Sequence, residues 1–382
     1  MDIYLVGGAV RDKLLGLPVN ERDWVVVGAT PEEMLDLGYT PVGKDFPVFL
    51  HPETKEEYAL ARTERKTAPG YKGFAFNTDR EVTLEEDLKR RDLTINAMAE
   101  SSTGELIDPY GGQSDLDQGR LRHVSPAFSE DPVRVLRVAR FAARFGKWGF
   151  SVAHGTNTLM REMVANGEVD HLVAERVWAE LAKAMATDTP EKFFTVLHGC
   201  HALGTLFPEI EHDYEKPVQA HTQASLPNHL QMLKQCAEHS SDSRIRFAAL
   251  LLSTGEQLST NKRLDQAMSI CERYRAPNDY AQLATIAIRS AETISSKSSA
   301  GILSMMEAAG AFRDPTRWQQ LLDLFQATGR IDTGTADLLE NARQRAANIS
   351  AASVENKTLQ GPEIGEAIRS KRREAIEQLL KT

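Results

Sequence analysis

Several features are scarce in this 382-residue chain, and each scarcity narrows what the protein can be. It has three cysteines, Cys200, Cys236 and Cys271, with no CxxC pair, so we expect reduced buried thiols, no zinc site and a cytoplasmic location. No run of about 18 apolar residues occurs, so we expect no membrane-spanning helix. The first eight residues lack a basic segment followed by a long apolar run, so we expect no secretory signal.

A positive net charge is also missing. The formal net charge is −9, which argues against a generally basic nucleic-acid-binding protein but leaves room for local basic patches. Apolar residues make up 41% and charged residues 26% of the chain, which is typical of a packed soluble fold. The length indicates two or three domains, whereas the choice between monomer and homodimer stays open.

Strand signals are concentrated in the first 125 or so residues. Residues 3–6 form an apolar run that ends at two glycines, residues 9–15 read as a helix stopped by a glycine, and residues 24–27 read as a second strand. Thr30, Pro31 and Glu33 have the pattern of a capping box at a helix start. Residues 46–50 and 57–61 flank a turn containing Pro52 and predict a hairpin.

Helical spacing dominates from about residue 130 onward. Apolar spacing predicts a helix over 131–145, and composition favours further helices in the following stretches: 158–166, 174–188, 191–203, 244–253, 263–275, 279–293 and 335–347. The C-terminal two-thirds is therefore expected to be all-α. Candidate joints between domains lie near residues 125–129 and 208–227.

Two glycines and an arginine form the first candidate binding element. Gly7 and Gly8 follow the first predicted strand and open the first predicted helix. Glycine lets the backbone approach a phosphate, N–H groups at a helix start favour an anion, and Arg11 adds a positive charge. The pattern indicates phosphate binding, with an ordinary strand-to-helix turn as the alternative.

Three carboxylates are candidate metal ligands. Glu21 and Asp23 are two residues apart at the entry to a strand, so alternation places both side chains on one face. A divalent cation would offset their repulsion, and Glu57 could supply a third carboxylate. In nucleotidyl transfer, two Mg²⁺ ions held by carboxylates clamp the attacking oxygen and the leaving pyrophosphate. A solvated strand end is the alternative interpretation.

The segment 90–98 combines arginines with an aspartate and an asparagine. Arg91 suits a triphosphate, whereas Asp92 and Asn96 suit ribose hydroxyls. The alternative is the start of a surface helix that Asp92 caps.

The segment 130–144 is the most informative. Its arginines fall within an arc of about 120° on a helix: Arg134, Arg137, Arg140 and Arg144. Arginine recognises phosphate and base edges bidentately, and aspartate accepts from exocyclic amines such as cytosine N4. Asp131 and Arg134, three residues apart, could therefore address a base edge. A solvated helix face with intrahelical ion pairs is the alternative.

Seven segments in this order resemble the class II tRNA nucleotidyltransferases, the CCA-adding enzymes of the polymerase-β superfamily. They are VGGAVRDKLLG (6–16), ERDWVVVG (21–28), EEYALARTERK (56–66), RRDLTINAMA (90–99), DPYGGQSDL (108–116), EDPVRVLRVARFAARF (130–145) and ERVWAEL (175–181). The resemblance runs from residue 1 to about 210. It looks closest to bacterial enzymes that carry a C-terminal HD phosphohydrolase domain.

This resemblance implies an α+β fold, with a polymerase-β-like nucleotidyltransferase head followed by an all-α neck, body and tail. We expect the head over 1–125, the neck and body with a base-template helix over 126–215, and a degenerate HD-like tail over 216–382. The implied activity is template-independent addition of C, C and A from CTP and ATP to the 3′ end of tRNA, with Mg²⁺ as the cofactor.

The resemblance also implies roles for single residues. Glu21, Asp23 and Glu57 would be catalytic, with Glu21 and Asp23 holding the metal. The nucleotide would be bound by Gly8, Arg11, Arg91, Asp92, Asn96, Asp131, Arg134, Arg137 and Arg140. Within that set Asp92 and Asn96 would address the ribose, and Asp131 and Arg134 would pair with the base. Residues 108–112 would form a hinge, and Glu175 and Arg176 would brace the template helix.

Two departures from the family pattern matter. Position 21 is Glu where the family usually has Asp, so the carboxylate is one methylene longer. Leu252 and Ser253 stand where the family has its His-Asp pair, which predicts no phosphohydrolase activity because the metal ligands are missing. His221 and His229 are interpreted as core or surface residues rather than ligands.

Two other functions remain open at this point. A poly(A) polymerase shares the head motifs, but this chain lacks a long basic C-terminal tail. A catalytically impaired tRNA-binding homologue would fit the change at position 21 and the altered tail.

Overall fold

The structure, a computed structural model, describes residues 1–42, 48–66, 74–214, 226–296, 298–353 and 360–381. The chain divides into two compact units, one of residues 1–180 and 192–206 and the other of residues 181–191 and 207–382. The finer three-part division expected from the sequence stays a prediction. Among the described helices, none combines the length and apolar character that crossing a bilayer requires.

The strands all belong to the first unit. In chain order they are β1 (Asp2–Val6), β2 (Asp23–Val27), β3 (Thr40–Val42), β4 (Val48–Leu50), β5 (Glu57–Leu60), β6 (Thr63–Lys66), β7 (Phe74–Asn77), β8 (Ala99–Ser101), β9 (Leu106–Ile107), β10 (Arg120–Leu121) and β11 (Ser151–Val152). Seven of them form one sheet in the order β3-β4-β5-β2-β1-β8-β9. Its pairs are antiparallel except for the parallel pair β2–β5.

Helices fill the rest of the described chain. They are α1 (Gly8–Leu14), α2 (Pro31–Asp36), α3 (Leu84–Lys89), α4 (Gly112–Asp117), α5 (Val133–Phe145), α6 (His154–Ala165), α7 (Ala174–Met185), α8 (Glu191–Gly199), α9 (Ala202–Leu206), α10 (Pro208–Tyr214), α11 (Asn228–His239), α12 (Ser243–Ser253), α13 (Thr260–Arg273), α14 (Asn278–Ser296), α15 (Ser299–Ala308), α16 (Thr316–Ala327), α17 (Thr333–Ala347) and α18 (Pro362–Leu380). The predicted α+β head followed by helices is therefore confirmed.

The register of the sheet brings the site residues together. Val25 and Val26 point into separate hydrophobic clusters on the two faces of the sheet, as side-chain alternation requires. With that register fixed, Asp23 lies opposite Val6 of β1 and opposite Glu57 of β5. The turn after Val6 and the carboxylate of Glu57 are therefore both neighbours of Asp23.

Most sequence expectations for the head are confirmed. Residues 3–6 and 24–27 lie in strands, and Thr30 and Glu33 form the predicted capping box. Strands β4 and β5 form the expected hairpin, although Phe46 lies outside the described residues. The three cysteines are free and buried, and burial raises the pKa of the Cys236 thiol to about 12.

Three details differ from the sequence reading. The helix expected from residue 131 begins at Val133, because Asp131 is extended and Pro132 occupies the N-cap. Residues 151–152 form a short strand in a region expected to be all-α. Seven helices were not anticipated, namely α3, α4, α10, α11, α15, α16 and α18.

Gly112 packs against the segment that carries Asn96, and its substitution tests that packing. A Cβ there would overlap the Thr94 carbonyl oxygen and lie 2.8 Å from Met98 Cγ. We expect Gly112→Ala to destabilise the first unit by about 3 kcal/mol, the upper range for overpacking, measured as a lower thermal midpoint. Gly365→Ala is the control, because nothing lies within 4 Å of its Cβ position. Equal midpoints for the two variants would contradict the packing.

Candidate active site

The turn between β1 and α1 lets the Arg91 side chain approach the backbone closely. Gly7 has φ +67°, a backbone conformation that side chains rarely adopt, and a Cβ there would lie 2.7 Å from Arg91 Nη1. The Gly7 N–H donates to the Met98 carbonyl oxygen at 3.1 Å. The turn therefore needs glycine because the Arg91 guanidinium lies directly on it.

A pocket beside this turn contains the three predicted carboxylates. Glu21, Asp23 and Glu57 line a cavity of about 450 Å³ together with Lys55. Glu21 precedes β2 rather than lying in it, whereas Asp23 is its first residue. Residues directly opposite on adjacent strands share a face, so Asp23 and Glu57 both face this pocket.

The electrostatics of Asp23 suit a cation. The pocket walls desolvate its carboxyl group and raise its pKa, Arg91 lowers the pKa, and Glu21 raises it further. The described residues contain no group of three or more His, Cys, Asp or Glu placed to hold a metal ion. Two carboxylates in an open pocket fit Mg²⁺, which keeps several waters and takes further ligands from substrate phosphates.

Arg91 is held by a buried acid that the sequence analysis missed. Asp87, at the end of α3, is fully buried and accepts from Arg91 Nη2 at 3.1 Å and from Arg90 Nη2 at 2.7 Å. Burial alone would raise the pKa of Asp87, but the two arginines outweigh it and the pKa lies below its ordinary value.

Asp92, Asn96 and Arg137 form a buried network. Asp92 Oδ1 accepts from the Leu93 N–H at 2.8 Å and from Asn96 Nδ2 at 2.9 Å, and Oδ2 accepts from Arg137 Nε at 2.6 Å. Burial alone would raise the pKa of Asp92, yet the charge of Arg137 and these hydrogen bonds hold it well below its ordinary range. Asp92 does not cap a surface helix, because it is only 6% exposed.

Arg11, in α1, belongs to the same network. Its Nη1 donates to Asn96 Oδ1 at 2.5 Å and its Nε donates to Asp12 Oδ1 at 2.8 Å. Arg144 Nη2 in turn donates to Asp12 Oδ2 at 2.8 Å. Arg11 is 3% exposed, so in this conformation its guanidinium binds protein groups. Asp12 thus links the first helix of the head to the end of α5.

The arginines of α5 do not form a solvated face. Arg134 and Arg140 are each only 9% exposed. Arg134 donates to the backbone carbonyls of Arg90 at 2.5 Å and Ala127 at 2.9 Å, and Arg140 donates to Glu180 at 2.5 Å. The other two arginines of the stripe are partly exposed but are each paired with a buried acid, so a solubilising stripe does not describe this face.

The acidic start of α5 is braced as expected. Arg176 donates to both carboxyl oxygens of Asp131, at 3.2 and 3.0 Å, and Asp131 also accepts from the Val133 N–H. Glu180, one turn further along α7, adds a second brace through Arg140. The sequence signal for Glu180 was its place one turn after Arg176, on the same face of a helix.

The predicted residues thus fall into three linked groups. The pocket holds Glu21, Asp23 and Glu57, next to the Gly7–Gly8 turn and Arg91. The network holds Arg11, Asp92, Asn96 and Arg137. Asp131, Arg134 and Arg140 belong to the start and body of α5. Asp131 and Arg140 contact the bracing residues of α7, whereas Arg134 donates to the backbone carbonyl oxygen of Arg90, two residues before Asp92.

The tail residues that replace the His-Asp pair are buried. Leu252 and Ser253 lie at the end of α12 with at most 3% exposure. His229 is also buried, with Nδ1 3.7 Å from Asp213 Oδ2. His221 lies outside the described residues.

The ion pair of Asp92 predicts a dependence of stability on pH. Because its folded pKa is depressed, ionised Asp92 stabilises the fold above its unfolded pKa, and this contribution is lost as pH falls toward the folded pKa. In Asp92→Asn, the decline in unfolding free energy below about pH 4 should be shallower by up to about 1.4 kcal/mol per pH unit. Urea unfolding at a series of pH values measures this, with exposed Asp36→Asn as the control. An unchanged slope would contradict the buried ion pair.

Comparisons with known proteins bear on the fold and the family of this chain. The family model described as Poly A polymerase head domain matches residues 3–122, and that described as Probable RNA and SrmB-binding site of polymerase A matches residues 149–214. The Bacillus stearothermophilus CCA-adding enzyme in complex with CTP has a TM-score of 0.66 and 20% identity, covering 99% of this chain and 89% of that one. The Thermotoga maritima CCA-adding enzyme complexed with tRNA has a TM-score of 0.63 and 22% identity, with coverage of 100% and 91%.

These two structures support the fold alone, whereas a curated relative extends the similarity to the whole sequence. The Multifunctional CCA protein of Thioalkalivibrio sulfidiphilus is 50% identical, and the alignment covers 99% of this chain and 98% of the relative. Identity at this level over nearly all of both chains shows common membership. The chain belongs to the family of multifunctional CCA proteins.

Proposed function

We propose that this protein adds C, C and A from CTP and ATP to the 3′ end of tRNA. The observation that carries the proposal is the strand register. It sets Asp23 next to Glu57 in one open pocket and opposite Val6, the residue before the Gly7–Gly8 turn. A full-length relative named Multifunctional CCA protein, and similar folds seen with CTP and with tRNA, support this substrate assignment. We propose that the protein acts in the cytoplasm.

A bound cation and the side chains of the protein make different contributions to the reaction. Family membership implies dependence on a divalent metal, and we propose Mg²⁺ held by Glu21 and Asp23, with Glu57 beside them. When bound, the metal neutralises charge on the triphosphate and on the attacking oxygen. The tRNA 3′ oxygen attacks the α-phosphate and pyrophosphate leaves, so the chain contributes positioning and charge rather than a covalent intermediate.

Nucleotide contacts are assigned by position in the site. Gly8 and Arg91 lie at the turn and suit the triphosphate. Asp92 and Asn96 are already bonded to each other, so we propose that they address the ribose as one unit whose orientation Arg11 fixes. Bidentate recognition by Arg137 and Arg140 of further acceptors on the nucleotide would complete this set.

Base selection is assigned to the start of α5. We propose that Asp131 and Arg134 pair with the base edge, since both are oriented by neighbours before any nucleotide arrives. We also propose that residues 108–112 act as a hinge between C and A addition. Leu252 and Ser253 support the absence of phosphohydrolase activity, because neither side chain is a metal ligand.

An incorporation assay tests the proposal. The protein, Mg²⁺ and tRNA lacking its CCA end are incubated with labelled CTP or ATP, separately and together. Two C residues followed by one A support CCA addition. A ladder of A residues alone would instead identify a poly(A) polymerase, and no incorporation with intact tRNA binding would identify an impaired tRNA-binding homologue.

Asp23 is the sharpest single test of the carboxylate pocket. Asp23→Asn keeps the shape of the side chain but removes its charge, so transfer should fall by at least about a thousandfold because the metal is lost. tRNA affinity should stay within about twofold, since the substitution removes no positive charge that could bind a phosphate. Single-turnover incorporation and filter binding measure the two quantities. Glu53→Gln, an exposed acid outside the pocket lining, is the control. Retained transfer in Asp23→Asn would contradict the assignment.

Arg134 tests the base template. Arg134→Ala should lower the preference for CTP over UTP about tenfold, within the range for a lost bidentate base contact. The ratio of the two kcat/KM values measures this. Exposed Arg120→Ala is the matched control, since it removes the same charge elsewhere in the first unit. A preference for CTP that survives in Arg134→Ala would exclude Arg134 as the template.

A further inference from the structure

Asp87 is a fully buried carboxylate with an unusual set of partners. Its Oδ1 accepts from Arg90 Nε at 3.0 Å and Arg90 Nη2 at 2.7 Å, and also from the Arg62 backbone N–H at 3.3 Å. Its Oδ2 accepts from Arg91 Nη2 at 3.1 Å. One buried charge thus holds two consecutive arginines, and both carboxyl oxygens are used.

The two arginines point to different parts of the site. Arg91 lies on the turn at Gly7, with Nη1 2.7 Å from the position that a Cβ of residue 7 would occupy. The backbone carbonyl oxygen of Arg90 accepts from Arg134 Nη2 at 2.5 Å. A shift of residues 90–91 would therefore move the guanidinium beside the carboxylate pocket and also the support of the proposed base template.

The energetic role of this arrangement is to order Arg91 before a ligand arrives. A free arginine side chain loses rotamer entropy when it is immobilised on a ligand, and this loss reduces affinity. The ion pair with the fully buried Asp87 carboxylate keeps Arg91 in one orientation. The entropy of ordering Arg91 is therefore not lost when the ligand binds. Asp87 lies in the last part of α3 and Arg91 follows just after its end, four residues later, so the geometry is set locally.

We infer that Asp87 is a positioning residue for the triphosphate, acting through Arg91 without touching the nucleotide. The inference rests on the proposed role of Arg91 in binding the triphosphate. It extends that role by naming the group that orients the guanidinium.

The experiment measures KM, kcat and inhibition in Asp87→Asn. KM for both CTP and ATP should rise about tenfold with kcat changed less than about threefold, the signature of lost binding rather than lost chemistry. Inorganic tripolyphosphate lacks base and ribose. Its inhibition constant should rise by the same factor as KM, whether CTP or ATP is the substrate. Glu85→Gln is the matched control, an exposed acid two residues away on the same helix. It should leave all three quantities unchanged.

A double variant separates positioning from a general structural role. If Asp87 acts through Arg91, adding Asp87→Asn to Arg91→Ala should change KM by less than about twofold, because interacting residues are not additive. Additive effects, or a fall in kcat with unchanged tripolyphosphate inhibition, would overturn the inference. If Asp87→Asn does not fold, Asp87→Glu replaces it in every comparison, because it keeps the charge but displaces the carboxylate.

The same data distinguish failure of the inference from failure of the proposed site. If Arg91→Ala leaves tripolyphosphate inhibition unchanged, the triphosphate role of Arg91 is wrong and the inference falls with it. If Arg91→Ala weakens inhibition but neither Asp87 variant does, the role of Arg91 stands and the inference alone is wrong.

Discussion

The buried ion pair between Asp92 and Arg137 is the interaction on which the rest of the site depends. It joins the segment that follows α3 to the middle of α5 through a 2.6 Å hydrogen bond, with the carboxylate only 6% exposed. Desolvating a carboxylate is costly unless its oxygens are fully bonded, and here three donors satisfy them. Loss of Arg137 would leave a buried charge, so the pair specifies one position of α5.

Other parts of the first unit extend this arrangement in both directions. Hydrogen bonds run from Asn96 to Arg11, from Arg11 to Asp12 and from Asp12 to Arg144. This chain of bonds connects α1 and the end of α5 to the same carboxylate. The strand register works independently of these charges, since it places Asp23 beside Glu57 through backbone pairing. A carboxylate pocket held by the sheet and a set of arginines held by buried acids therefore meet at the Gly7–Gly8 turn.

Local patterns predicted the capping box, the residue types of the site and four of the described strands, namely β1, β2, β4 and β5, because each depends on neighbours in sequence. The other seven described strands were not anticipated. Asp87 and Asp12 were missed for a physical reason. A lone acid in a short helix looks like a solvated charge, and only tertiary packing shows that it is buried between arginines. The interpretation of α5 as a solvated helix face failed for the same reason, since periodicity alone cannot distinguish buried arginines from solvated ones.

A double-mutant cycle between Asp92→Asn and Arg137→Gln, read as kcat/KM for CTP, tests the central claim most directly. If the ion pair acts as one unit that orients α5, the double variant should be little worse than either single variant, with a coupling energy of about 1.5–3 kcal/mol. Effects that add within about 0.5 kcal/mol would show that the two residues act independently and would contradict the account.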